Sequence, residues 1–215
     1  MHRRRRTALS VSAALLAAAP LLTACGGGHP GAAAVVGGER IETAALQSQV
    51  QGVRSAQEAS PQAERLIRAT GDLGRRKLSG MIFDRVVEKV AADAGITVSR
   101  KEVQQTRRAA ARQYGGDREL VAMLLQQQGT APGEVDGAVR REVLMSKIAE
   151  RYGAAGTPEG QKKLTELFGA ASRDLGVEVN PRYGTWDHDR VQLGHEQAPW
   201  LRQVTRDPAG APTGL

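Results

Sequence analysis

The sequence predicts a mainly α-helical domain with one short strand at each end, the two strands pairing with each other. Three observations carry that expectation. Apolar residues recur at intervals of three and four through most of the chain, the signature of helices with one buried face. Alanine, arginine, glutamate, glutamine and leucine dominate, whereas aromatic residues make up only 3% of the 215 residues, a composition that favours helix over sheet. Glycines fall where the periodic segments stop, the place where a left-handed residue closes a helix.

The chain opens on a basic stretch, Arg3 to Arg6, followed by an almost uncharged apolar run from Ala8 to Ala24. A basic start, a short apolar run and a small residue before a cut are the marks of an export signal. The run is short and alanine-rich, whereas a membrane-crossing helix needs about 20 strongly apolar residues. Leu22-Thr23-Ala24-Cys25 places the only cysteine directly after that run, so no disulfide framework is expected. This arrangement resembles the lipobox of bacterial lipoproteins. The resemblance implies cleavage between Ala24 and Cys25, a diacylglyceryl group on the Cys25 thiol and acylation of the new amino terminus. Several acyl chains anchor a protein firmly, since each buried methylene adds about 0.8 kcal/mol. The expected location is therefore the extracytoplasmic face of the cell membrane. The four arginines also fit a partial twin-arginine pattern, leaving the export route open. Loss of residues 1–24 lowers Lys and Arg from 30 to 26 against 23 acidic residues. Such a mixed surface does not call for nucleic acid, which would require a clustered basic face.

Residues 25–33, rich in glycine and alanine, are expected to form a flexible tether. Val35-Val36 followed by Gly37-Gly38 and Ile41 reads as a strand, a glycine turn and a return. Thr43 is placed to cap a helix carrying Leu46, Val50 and Val53; the polar residues 54–60 are expected to end it, and Ser60-Pro61 to open the next. The strongest periodic segment runs from Arg75 to Ala94, with Leu78, Ile82, Val86 and Val90 on one face and Gly95 as its stop. Ser99 and Glu102 have the spacing of a capping box for a helix reaching Tyr114. Gly115-Gly116 breaks it, Asp117 is placed to cap a helix ending at Gly129, and another spans about Pro132 to Tyr152. Thr157-Pro158 opens the last helix, and Val177-Glu178-Val179 after Gly176 reads as the closing strand. Residues 188–215 show no sustained periodicity and are expected to be an irregular tail.

The order of these elements resembles the N-terminal chaperone region of the SurA/PrsA group of extracytoplasmic foldases, related in shape to the C-terminal arm of trigger factor. The residues that carry the likeness are Val35-Val36-Gly37-Gly38-Glu39-Arg40-Ile41 before a first helix, the long helix ending Ala94-Gly95-Ile96-Thr97-Val98-Ser99, and Arg140-Arg141-Glu142 after Gly129. Val177 to Trp186 resembles the end strand of such domains in actinobacterial lipoproteins, and the likeness spans residues 34–187. Many members of the group carry a parvulin-type prolyl isomerase domain. Only 29 residues follow Trp186 and none has that β-rich character, so isomerase activity is not carried over.

No residue constellation argues for catalysis or a cofactor. Asp187, His188, Asp189, His195 and Glu196 are metal-ligand types, but alternate residues of an extended segment face opposite ways. They are read as solvated loop residues, with no metal. No serine has a recognisable base partner at motif spacing. Arg107, Arg108 and Arg112 are read as a solvated helix face. Met81, Met123 and Met145 are the candidate client-binding residues, because methionine adapts to varied apolar partners. The resulting expectation is a lipid-anchored, non-catalytic chaperone-like protein that binds unfolded or exported polypeptides. An adaptor for one envelope partner is the alternative, and a minimal prolyl isomerase a more distant one.

Overall fold

The computed structural model describes residues 31–154 and 156–194. The chain enters through β1 (Ala32–Val36), turns at Gly37-Gly38 and returns as β2 (Glu39–Glu42). Both turn glycines have positive φ, 60° and 78°, as a two-residue hairpin turn requires. Near the other end of the chain, β3 (Glu178–Val179) pairs antiparallel with β1, giving the strand order β2-β1-β3. The expected pairing of the two outer strands is therefore present, with β1 in the centre. Its residues Ala32, Ala33, Ala34 and Val36 are all buried, which explains why this strand shows an unbroken apolar run and no alternation. It begins at Ala32, two residues inside the expected tether.

Seven α-helices lie between these strands among the described residues: α1 (Thr43–Glu58), α2 (Ala63–Arg68), α3 (Leu73–Asp93), α4 (Arg100–Tyr114), α5 (Asp117–Gln128), α6 (Val135–Arg151) and α7 (Pro158–Asp174). The helix α3 is the spine. Its Leu78 and Ile82 pack with Leu46 and the sheet residues Ala33, Val36 and Ile41. One and two turns later, Val86, Val87 and Val90 pack with Leu144 and Ile148 of α6 and Phe168 of α7. At its start, Leu73 joins Val53, Leu66 and Leu125. A fourth cluster, Val103, Leu120, Leu124, Val135 and Val139, holds α4 and α5 against α6.

Several helix ends form as the sequence predicts. Ser99 and Glu102 make the capping box of α4, and the Thr157 side chain accepts from the Gly160 N–H at 3.0 Å. At Gly95 (φ 65°) the Ile96 N–H reaches back to the Ala91 carbonyl at 2.8 Å, closing α3. Other boundaries differ from expectation. Glu42 precedes α1 and Thr43 is its first residue; Gly116, and not Asp117, stands before α5. The helix α1 continues through the polar residues 54–58, and α2 starts at Ala63, beyond Ser60-Pro61. A tertiary network accounts for this extension. Gln57 is fully buried and donates to Thr70 Oγ1 at 3.2 Å, while Arg54 donates to the Thr70 carbonyl and hydroxyl at 2.7 Å each. These polar residues close the end of α2, so they stay helical and internal.

The packed structure also runs past residue 187, where the domain was expected to stop. A hairpin of β4 (Trp186–Asp187) and β5 (Gln192–Leu193) lies over α3 and α7. Leu193 donates its N–H to Ser79 Oγ at 3.1 Å, and Trp186 and Leu193 pack on the sheet-side cluster. Among the described residues, no helix is long and apolar enough to cross a membrane.

Candidate functional site

An open groove of about 340 Å³ lies where α3 passes α1, the end of α5 and the start of α6. One face of α3 forms its long wall: Arg76, Lys77, Gly80, Met81 and Asp84, a spacing that returns to the same side of a helix every turn. The opposite wall consists of Gly133, Glu134, Gly137, Ala138 and Arg141, with Gln49, Gln128 and Thr130 at the remaining edges. The short 3-10 turn Pro132–Glu134 leads into α6 and sets Glu134 facing α3.

The groove is charged, and its charged side chains are ion-paired. Lys77 Nζ lies 2.7 Å from both carboxylate oxygens of Glu134, and both side chains are largely covered, at 14% and 25% exposure. Glu134 also accepts from the Ala131 N–H at 2.8 Å, which fixes its rotamer. Further along, Arg141 Nη1 donates to Asp84 Oδ1 at 2.8 Å. The first pair joins α3 to the turn before α6 and the second joins α3 to α6, so both tie one wall to the other. The third lining cation, Arg76, pairs with Asp72 just outside the groove.

The three methionines are not gathered onto one surface. Met81 lines the groove and touches the sheet-side cluster, Met123 packs in the cluster of α4, α5 and α6, and Met145 packs beside Val86 and Phe168. Each is half-buried. Cys25 and Ala24, together with His195 and Glu196, lie outside the described residues. Among the described residues, no group of three or more His, Cys, Asp or Glu side chains is placed to hold a metal ion.

Two side chains acquire partners that spacing alone did not show. Arg108 and Arg112 are exposed as expected, whereas Arg107 beside them is half-buried and ion-paired. It donates through Nε and Nη2 to both oxygens of Asp117 at 2.8 Å, and through Nη1 to Asp136 at 2.7 Å. These bonds hold the Asp117 carboxyl below the usual carboxylate range. Ser172 meets His188, with Oγ 2.9 Å from Nδ1. This is not a nucleophile and its base: Ser172 is fully buried, and its hydroxyl accepts the Trp186 indole N–H at 2.7 Å. The trio ties the C-terminal hairpin to α7. Asp187 caps the tip of that hairpin, accepting from the Arg190 and Asp189 N–H groups, which lowers its pKa.

The groove residues other than Met81 were not singled out by sequence reasoning. A signal existed in Gly80, which interrupts the most regular helix of the chain, and in Gly137, which follows the start of another.

Fold and groove together define a class of protein: a small, mainly helical domain with an open groove of ion-paired side chains along its central helix. Comparison with known families matches residues 3–149 to the SurA-like N-terminal domain, and the chain belongs to that family. The family is chaperone-associated, and the domain is of a non-catalytic type. No curated protein matches the chain, and no solved structure does. Residues 150–194 lie beyond the matched region, yet α7, β3 and the hairpin complete the core around α3.

Proposed function

We propose that the protein is a membrane-anchored, extracytoplasmic chaperone-like protein that holds unfolded or newly exported polypeptides, without catalysis or cofactor. The observation that carries the reading is the open groove, walled by Met81 and two cross-helix ion pairs, in a domain of the SurA-like family. A groove about 12 Å long from Arg76 to Asp84, at 1.5 Å per helical residue, accepts three to four residues of extended chain. Its rigid ion-paired walls suit transient holding, because a preformed site needs little reordering to bind. Cys25 supplies the anchor in this reading, and the glycine-rich segment after it keeps the groove close to the membrane where exported chains emerge.

The test uses the full chain carrying Cys25→Ser, added in stoichiometric amounts to two unrelated chemically denatured proteins while light scattering is followed. Suppressed aggregation of both is the expected result. No effect on either would overturn general holding and turn attention to a single envelope partner found by co-purification. In cells, labelled fatty acid should enter the wild-type protein and not the Cys25→Ser form; equal labelling would remove the anchor from the proposal.

A further inference from the structure

We infer that the outer face of α4 is a membrane-contact surface, on which Lys101, Arg108 and Arg112 form a cationic row that lies against anionic phospholipid headgroups. The inference is independent of the groove and of the holding function. It goes beyond the lipid anchor by assigning the side of the domain that meets the membrane.

Charge is unevenly placed over the domain. Residues 31–194 carry 24 Lys and Arg against 21 Asp and Glu, close to balance. The helix α4 alone carries five against one, which leaves 19 against 20 for everything else. The spine α3 has as many cations but carries three acids with them. Inside α4 the single acid, Glu102, is taken by Lys147 and by the Ser99 cap, and Arg107 is taken by Asp117 and Asp136. Lys101, Arg108 and Arg112 are exposed and have no hydrogen bond or ion pair among the described residues. Steps of seven and four residues bring these three to one side of the helix, away from the buried Val103. At 1.5 Å per residue the row is about 17 Å long.

The chemistry of the row selects a charged surface and not a folded partner. Its remaining member is Gln105, also exposed, so the row has no apolar or aromatic anchor of the kind that gives protein–protein contacts their energy. Cations on long stems along the outside of one helix need only a diffuse field of opposite sign. An anionic bilayer supplies that field, and each Lys or Arg near it strengthens attachment about fivefold. The acids closest in the fold do not cancel the row, because Asp117 and Asp136 are both held by Arg107 on another side of the helix.

The test uses the fact that the chain has one cysteine. In the full-length Cys25→Ser protein, a fluorophore is placed through Gln105→Cys or, for reference, through Gln161→Cys, an exposed position on α7. Vesicles of phosphatidylglycerol and phosphatidylcholine containing a headgroup-nitroxide lipid are the quencher. The basic, apolar start of the chain would itself draw the protein to such vesicles, so the readout is which position is quenched. Quenching at 105 should exceed that at 161 by about twofold or more, and the difference should vanish on phosphatidylcholine alone and fade as salt rises. Lys101→Gln, Arg108→Gln and Arg112→Gln together should abolish the difference without changing the melting temperature, whereas Arg108→Lys with Arg112→Lys should keep it. Equal quenching at the two positions overturns the inference, as does a difference that survives neutral lipid, raised salt or the triple substitution. Loss of the difference in the lysine variant also overturns it, by showing a fitted contact in place of a field. If the triple variant unfolds early, the salt series and the lysine variant decide. A label at 105 that responds to soluble polyglutamate but not to anionic vesicles overturns the membrane in favour of an acidic polypeptide.

Discussion

The helices α3 and α4 differ in what holds them. The former places Leu73, Leu78, Ile82, Val86, Val87, Val90 and Ala91 in the interior, whereas the latter buries Val103 alone. What α4 lacks in apolar contact it replaces with polar bonds: the capping box at Ser99, the Lys147–Glu102 pair and the Arg107 bridge to Asp117 and Asp136. Burial of apolar surface is insensitive to moderate salt and to pH, whereas exposed ion pairs respond to both. One molecule thus contains a spine held by packing and an arm in which α4 is held substantially by charge while α5 keeps Leu120, Leu124 and Leu125 buried. The groove lies on the spine, its walls set by α3 and α6, and the arm is the part expected to open first.

The largest effect that would test this contrast comes from the spine. Ile82→Ala removes a fully buried side chain from the sheet-side cluster and should cost about 2–5 kcal/mol in chemical denaturation. A loss below about 1 kcal/mol would show that α3 is less central than its burial implies.

A smaller effect is expected in the arm. Arg107→Met keeps the aliphatic stem and removes both ion pairs, for a loss of roughly 1 kcal/mol at low salt. The difference from wild type should shrink as salt is raised. Amide exchange should quicken in α4 and α5 and stay slow in α3. Equal loosening of both regions would mean that arm and spine unfold as one unit.

The finest distinction is in acid. Hydrogen bonds from Lys147, then from the Ser99 N–H and hydroxyl, lower the Glu102 pKa from 4.5 to about 2. A carboxylate lowered on folding contributes fully above its unfolded value and loses that contribution as pH falls towards its folded one. Wild-type stability should therefore include a component lost between about pH 4.5 and 2, absent from Glu102→Gln. Denaturation curves of the two proteins at pH 6, 4 and 2.5 should converge on acidification; parallel loss of stability would remove Glu102 from the account.

Much of the fold was legible because it depends on local chemistry. Helical spacing of Leu78, Ile82, Val86 and Val90 marks α3, and Ser99 with Glu102 marks the start of α4, from residues no more than a few turns apart. Local reading failed where a distant partner changed a residue's role. Arg54 and Gln57 read as loop because they are polar, but Thr70 gives them an interior partner. Arg107 read as solvated until Asp117 and Asp136 were brought to it. The short strands β4 and β5 leave no periodic trace, being held by Ser79, Ser172 and the sheet-side cluster. Of the groove, only Met81 was anticipated.

The sequence by itself determined the helical class, most helix ends and the meeting of the two outer strands, because periodicity, caps and turn glycines act over a few residues. Only the tertiary structure decided which polar groups are spent and which remain free. Lys77 finds Glu134 and Arg141 finds Asp84 across the groove, while the buried Tyr183 hydroxyl finds no partner among the described residues. Whether a charge or hydroxyl is satisfied depends on what lies within about 3 Å in space, and that is fixed by the packing around α3 rather than by neighbours along the chain.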